Sequence, residues 1–314
     1  MEFGIYLRPA STFDGMKNLA LYAEKANYYG IFLNDHVHGF KSKGREPYLE
    51  AWTVMTALAM ITTKIRLGHV VLFNSLRNPA YLAKSIASLD ILSNGRYQIL
   101  LGAGWNVTEY EGYDLMEMGR GMPSAKERVD RLKESVQILR SMLDNEETNF
   151  VGQYWKLNKA YNIPLPMQKN MKITIGCSKD RMIRITAKYA DGINVGAGMQ
   201  KPRKVIDKLI PELKKHNKLI SDFLISGFGS ITIAKNKEEY NFLIQDFVKR
   251  TNKSIDEIEK DILIGTPDIL IDKLKALEKL GLSLYIMSIQ PASSVNEMIE
   301  KYEFFNQTVK RYLQ

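Results

Sequence analysis

A single cysteine, Cys177, in 314 residues removes any internal disulfide and any multi-cysteine metal site. The four histidines, His36, His38, His69 and His216, leave little material for zinc, so no metal is expected. No segment reaches the roughly 18 apolar residues of a membrane span, and "MEFGIYLRPAS" carries no basic leader ahead of its strand-length apolar run. The expectation is a soluble, cytoplasmic protein without membrane contact. Concentrated basic runs are missing as well. The formal charge is +9, but the lysines are spread over amphipathic segments such as "KVIDKLIPELKKHNK", the pattern of solvated helix faces. With no aromatic-basic platform and no zinc-finger spacing, nucleic acid is not an expected partner, and a small polyanion is easier to accommodate.

What is present is alternation. Strand-like runs, "FGIYL", "GIFLN", "IRLGHVVLF", "YQILLG", "ITIG", "GINVG", "FLISGFGSITI" and "LSLYIMSI", are separated by helical periods such as Met16, Leu19, Ala20 and Ala23, or Leu82, Ile86 and Leu89. Strands alternating with helices imply α/β architecture with a mostly parallel sheet. Eight such strands, with 45% hydrophobic residues and no composition shift marking a linker, favour one (β/α)8 TIM barrel over residues 1–314. An open doubly wound sheet is the alternative, but no G-x-G-x-x-G follows "FGIYL", where a dinucleotide fold would place it. Ser124 and Glu127 are spaced as a capping box, while Pro267 and Gly281 suit the first turn and the C-cap of one helix. Residues 106–122 and 144–170 read as loop excursions, the second of them before strand 5.

Active sites of such barrels gather where strands end and the following loops begin. That rule collects Asp35 and His36 after strand 2; His69, Val70, Val71 and Asn74 near the end of strand 3; Gly102, Gly104 and Trp105 after strand 4; Gly176, Cys177, Ser178 and Lys179 after strand 5; and Gly196 and Gly198 after strand 6. Asp35 and His36 are open to two readings, a turn with a backbone-bonded histidine or a proton-handling pair. "GCSKD" and "GAGMQKP" are small-residue loops leading into helices, where free amides suit a phosphate. Trp105 is either a wall for a planar ligand or a plug under a loop. Cys177 is assigned no chemistry, because no triad surrounds it.

Residues 65–114, "IRLGHVVLFNSLRNPAYLAKSIASLDILSNGRYQILLGAGWNVTEYEGYD", resemble the central block of the bacterial luciferase-like superfamily of flavin- and deazaflavin-dependent oxidoreductases. Similarity extends to "YLEAWTVMTALAMITTKIRLG", "ITIGCSKDRMIRITAKYADGINVG" and "IGTPDILIDKLKALEKLGLSLYI". The resemblance implies a homodimer binding coenzyme F420, or alternatively FMN, at the strand C-terminal ends. It implies that His36 sits at the reactive edge of the ring with Asp35 orienting it, and that a cis peptide bulge at Val70 and Val71 lies behind the ring. It further implies that Gly102, Gly104 and Trp105 line the site, and that Gly176, Cys177, Ser178, Lys179, Gly196 and Ala197 cradle the phosphate. The expected activity is hydride transfer between deazaflavin C5 and a small organic substrate. The alternatives are a two-component FMNH2 monooxygenase served by a flavin reductase, and a non-catalytic flavin-binding protein. A sugar-phosphate-oxidising relative has glutamate at the position of Trp105 and tryptophan at that of Phe40, which argues against that substrate here.

Overall fold

The computed structural model describes residues 1–9, 12–40, 45–196 and 198–313. Its strands are β1 (Glu2–Leu7), β2 (Gly30–Leu33), β3 (Arg66–His69), β4 (Leu72–Phe73), β5 (Tyr97–Gly102), β6 (Glu147–Val151), β7 (Lys156–Tyr161), β8 (Ile173–Gly176), β9 (Gly192–Gly196), β10 (Leu224–Ile233), β11 (Leu263–Gly265) and β12 (Leu284–Ile289). Its helices are α1 (Phe13–Lys25), α2 (Ala51–Ile61), α3 (Pro79–Leu92), α4 (Val107–Gly112), α5 (Ala125–Asp144), α6 (Asp180–Tyr189), α7 (Gln200–Lys214), α8 (Lys237–Thr251), α9 (Ile255–Asp261), α10 (Pro267–Lys279) and α11 (Val295–Thr308).

Hydrogen-bonded strands follow the order β11-β10-β12-β1-β2-β3-β5-β8-β9, and β9 also pairs with β10, so the parallel sheet closes. This is the expected eight-stranded TIM barrel. Strands covered on both faces need no alternation, and accordingly all four residues of β2 are buried. All eight strand-like runs of the sequence become barrel strands. "IRLGHVVLF" divides into β3 and β4 around the Val70–Val71 peptide, which is cis. Three strands were not expected. β6 and β7 form an antiparallel hairpin inside the 144–170 excursion, and β11 is a short strand paired with β10.

The chain divides into two compact units: one of Leu7–Gly176 and Lys188–Gly192, the other of Met1–Tyr6, Cys177–Ala187 and the stretch from Ile193 onward. In the first, α3 buries Leu82, Ala83, Ile86, Ala87 and Leu89, the stripe read from the sequence. Asn78 caps that helix and Pro79 opens it. In the second, α10 begins at Pro267, and Gly281 follows it at φ +100°. The capping box expected at Ser124 forms only in half. Ser124 accepts from the Glu127 amide, but the Glu127 carboxylate turns to Arg131 at 2.9 Å. A complete box forms instead at Ser254 and Glu257, opening α9. Among the described residues, no helix is long and apolar enough to cross a membrane.

Candidate active site

Where β2 ends, two consecutive side chains enter separate networks of the first unit. Asp35 is 1% exposed and accepts from Arg77 at 2.6 and 3.0 Å and from the Phe73 amide at 2.9 Å. His36 turns to Glu109, whose carboxylate oxygens lie 2.8 and 3.0 Å from Nδ1. The acid next to the histidine is therefore not the acid that holds it, contrary to the expectation that Asp35 orients His36.

Glu109 reaches His36 because of the turn that opens α4. The Asn106 side chain caps that helix by accepting from the Thr108 amide, and Glu109 follows in the first turn with its side chain fully buried. A buried carboxylate needs donors. Glu109 takes one from His36 and one from the Val37 amide at 2.8 Å. With both Glu109 oxygens accepting, the hydrogen is assigned to Nδ1 of His36, and in that neutral tautomer the lone pair is at Nε2. Nε2 makes no hydrogen bond among the described residues, and the His36 side chain is 14% exposed. Aromatic rings surround the imidazole: Phe40 meets it edge-on at 4.7 Å, Trp105 at 5.8 Å, and Phe73 lies at 6.3 Å. Phe40 and Trp105 stack on each other at 16°, and both are exposed. Trp105 is thus a wall of this cluster rather than a plug.

Backbone proximity explains the small residues nearby. A side chain on Gly102 would meet Val71 Cγ2 at 2.5 Å, and one on Gly176 would meet Val71 Cγ1 at 2.9 Å. Gly104 has φ +79°, and its absent Cβ leaves the space that the Phe73 ring fills. Beside Phe73, Asn74 is 3% exposed, and its buried side-chain oxygen has no hydrogen-bond partner among the described residues. Such an oxygen fits a ligand that brings an N–H, as the ring systems of both F420 and FMN do.

His69 belongs to the interior instead. Its ring stacks on Trp52 at 3°, Nδ1 accepts from the Tyr97 hydroxyl at 2.8 Å, and Nε2 donates to the Ala51 carbonyl at 3.3 Å. Burial lowers its pKa to about 4, so it is neutral at pH 7. Burial also raises the Tyr97 hydroxyl well above its ordinary range.

In the second unit, the Cys177 amide donates to the Asn194 carbonyl at 3.1 Å, so it is committed to the protein itself. Burial pushes the Cys177 thiol up to about 11, which keeps it protonated and unreactive. Ser178 and Lys179 are exposed just ahead of α6, and Gly196 is exposed at the end of β9. Ala197 lies outside the described residues.

A family model described as luciferase-like monooxygenase matches residues 1–261. The chain belongs to the luciferase-like monooxygenase family. Among relatives, an F420-dependent glucose-6-phosphate dehydrogenase of Amycolatopsis mediterranei is 30% identical over 64% of this chain and 59% of its own length. The pyrimidine monooxygenase RutA of Variovorax paradoxus is 27% identical over 68% of this chain and 58% of its own. The chain therefore spans less than two thirds of these curated luciferase-like relatives. Among solved structures, an F420-dependent secondary alcohol dehydrogenase in complex with an F420-acetone adduct matches with a TM-score of 0.82. The match covers 98% of both chains at 18% identity, a likeness of fold.

Proposed function

We propose that this protein is an oxidoreductase that binds coenzyme F420 and acts on a small organic substrate through His36. The observation that carries this reading is the His36–Glu109 pair. A buried carboxylate holds Nδ1–H, so Nε2 is the atom that takes or returns a proton. When bound, the deazaflavin supplies hydride uptake and release at C5. His36 manages the accompanying proton, Glu109 fixes its ring, and the stacked Phe40 and Trp105 stand beside that edge. Asn74 offers an acceptor to a ring N–H, and Val70, Val71, Gly102 and Gly104 supply the closely packed backbone behind it. In the second unit, taken by itself, the exposed amides of Ser178 and Lys179 with Gly196 are the groups suited to a phosphate.

Relatives named as F420-dependent dehydrogenases support F420, and long-range attraction of an acidic cofactor to a chain of net charge +9 agrees with it. FMN is the second reading, supported by the RutA relatives; it would add a flavin reductase as partner. Titration with F420 and with FMN, read by absorbance and fluorescence, separates them. A preference on the order of a hundredfold, about 2.7 kcal/mol, decides the branch. Unchanged turnover in His36→Ala would remove His36 from the reaction. The exposed apolar residues Met60 and Ile61 on α2, with Tyr81 and Leu92 on α3, support a homodimer, which light scattering tests.

A further inference from the structure

We propose that Arg77 is a positioning residue for this site, acting through Asp35 on the backbone that carries His36 and Phe73. The proposal rests on the reading of His36 as the proton-handling group. Arg77 itself is not placed to serve as a ligand contact. One guanidinium nitrogen donates to Asp35 Oδ2, and another is shared between Asp35 Oδ1 and Glu50 Oε1 at 2.8 Å. The guanidinium carbon lies 5.5 Å from the centre of the Trp52 ring. Burial opposes its charge, but Asp35 and then Glu50 more than restore it, so Arg77 is a permanent cation. Any effect of Arg77 on turnover must therefore pass through what it holds.

What it holds is the frame of the candidate site. Asp35 ties the end of β2 to the Phe73 amide at the end of β4, and the Phe73 ring fills the space over Gly104 and approaches His36. Glu50 caps α2 by accepting from the Trp52 and Thr53 amides, so Arg77 also anchors the start of that helix. Trp52 in turn stacks on His69. Without the cation, Asp35 and Glu50 are like charges facing each other across the gap. Among the described residues, Asp35 then keeps only the Phe73 amide as a donor, a poor environment for a buried carboxylate. Moving Asp35 toward water relieves that charge, and His36 is the next residue. Displacement of a reacting group by about 1 Å costs on the order of a hundredfold in rate.

The test compares Arg77→Met and Arg77→Lys with wild type by steady-state kinetics, and reads the His36 ring nitrogens by 15N NMR without cofactor. The expected result in Arg77→Met is a fall in kcat of about thirtyfold to a hundredfold, with cofactor Kd within about threefold. The His36 ring signals shift, Arg77→Lys restores part of the rate, and Arg77→Met combined with Asp35→Asn costs little more than either alone. A general loss of stability would not produce that non-additivity in kcat. Wild-type kcat and unmoved His36 signals in a folded Arg77→Met protein overturn the proposal, as does full additivity of the pair. If wild type turns over neither F420 nor FMN while Arg77→Met still shifts His36, the cofactor reading fails and the positioning role stands.

Discussion

The hydrogen-bond geometry around Glu109 makes Glu109→Gln a sharp perturbation. In wild type, Oε1 accepts from the Val37 amide at 2.8 Å and Oε2 lies 2.8 Å from His36 Nδ1. A glutamine in the same place must keep its oxygen on the Val37 N–H, because two donors cannot face each other. That leaves the amide NH2 as the nearer group to Nδ1, at the 2.8 Å position against 3.0 Å for the oxygen, and Nδ1 accepts it only if the ring hydrogen has moved to Nε2. The substitution thus inverts the tautomer and takes away the lone pair that would receive a substrate proton. General base catalysis contributes about 10²–10⁴ in rate, and residual exchange between tautomers recovers part of it. A fall in kcat of about a hundredfold, or about 2.7 kcal/mol of barrier, is expected for substrate oxidation. Cofactor Kd should stay within about threefold, since Glu109 is buried behind the imidazole. The assay is steady-state turnover followed by cofactor fluorescence, with 15N NMR of the His36 ring to locate the proton. Glu109→Gln retaining wild-type kcat with the proton relocated to Nε2 would refute the chemical argument. A proton still on Nδ1 would refute the geometric one.

Gly104→Ala combines a left-handed backbone, costing about 1–2 kcal/mol, with a Cβ driven into the Phe73 ring, costing about 1–3 kcal/mol. Urea unfolding should show a loss of about 2–5 kcal/mol, and a loss under 1 kcal/mol would mean that Phe73 moves aside freely. His69 makes folding sensitive to acid. Its folded pKa of about 4 lies below the ordinary 6.5, so the unfolded chain binds the extra proton between those values. Its contribution is intact above about pH 6.5 and is lost as pH falls toward 4, by about 3 kcal/mol. Denaturant unfolding at pH 7 and pH 4.5 measures this, and an imidazolium signal from His69 in the folded protein at pH 5.5 would contradict it.

The barrel was legible because parallel strands buried on both faces are written as short apolar runs such as "GIFL", and the helices between them as single apolar stripes. The hairpin of β6 and β7 was not. Its few apolar side chains, Phe150, Val151 and Leu157 among them, are scattered between polar ones and at most partly covered, while the buried position is the polar Thr148, so no apolar period marked it. The division of "IRLGHVVLF" was invisible to periodicity and entered only with the family resemblance. Of the site, His36 and Trp105 were accessible from position alone, while Glu109 was not. Its signal is the "NVTE" turn after "GAGW", where Asn106 caps a helix and throws the residue three positions later inward. Asn74 was named only by its address, because an unpaired oxygen is a property of packing.

The exchange of partners between Asp35 and Glu109 has a cause that the sequence does contain. Side chains along an extended chain alternate between faces, so neighbours at i and i+1 point away from each other. An acid directly before a histidine is therefore poorly placed to bind its ring and well placed to bind what lies on the opposite side. Asp35 does this with Arg77 and the Phe73 amide, leaving the orientation of His36 to a residue 73 positions away. The two acids are not interchangeable in consequence. Asp35 fixes where the strand end lies, and Glu109 fixes which nitrogen of His36 carries the hydrogen. Loss of the first should move the ring, and loss of the second should leave the ring in place with its proton on the wrong atom.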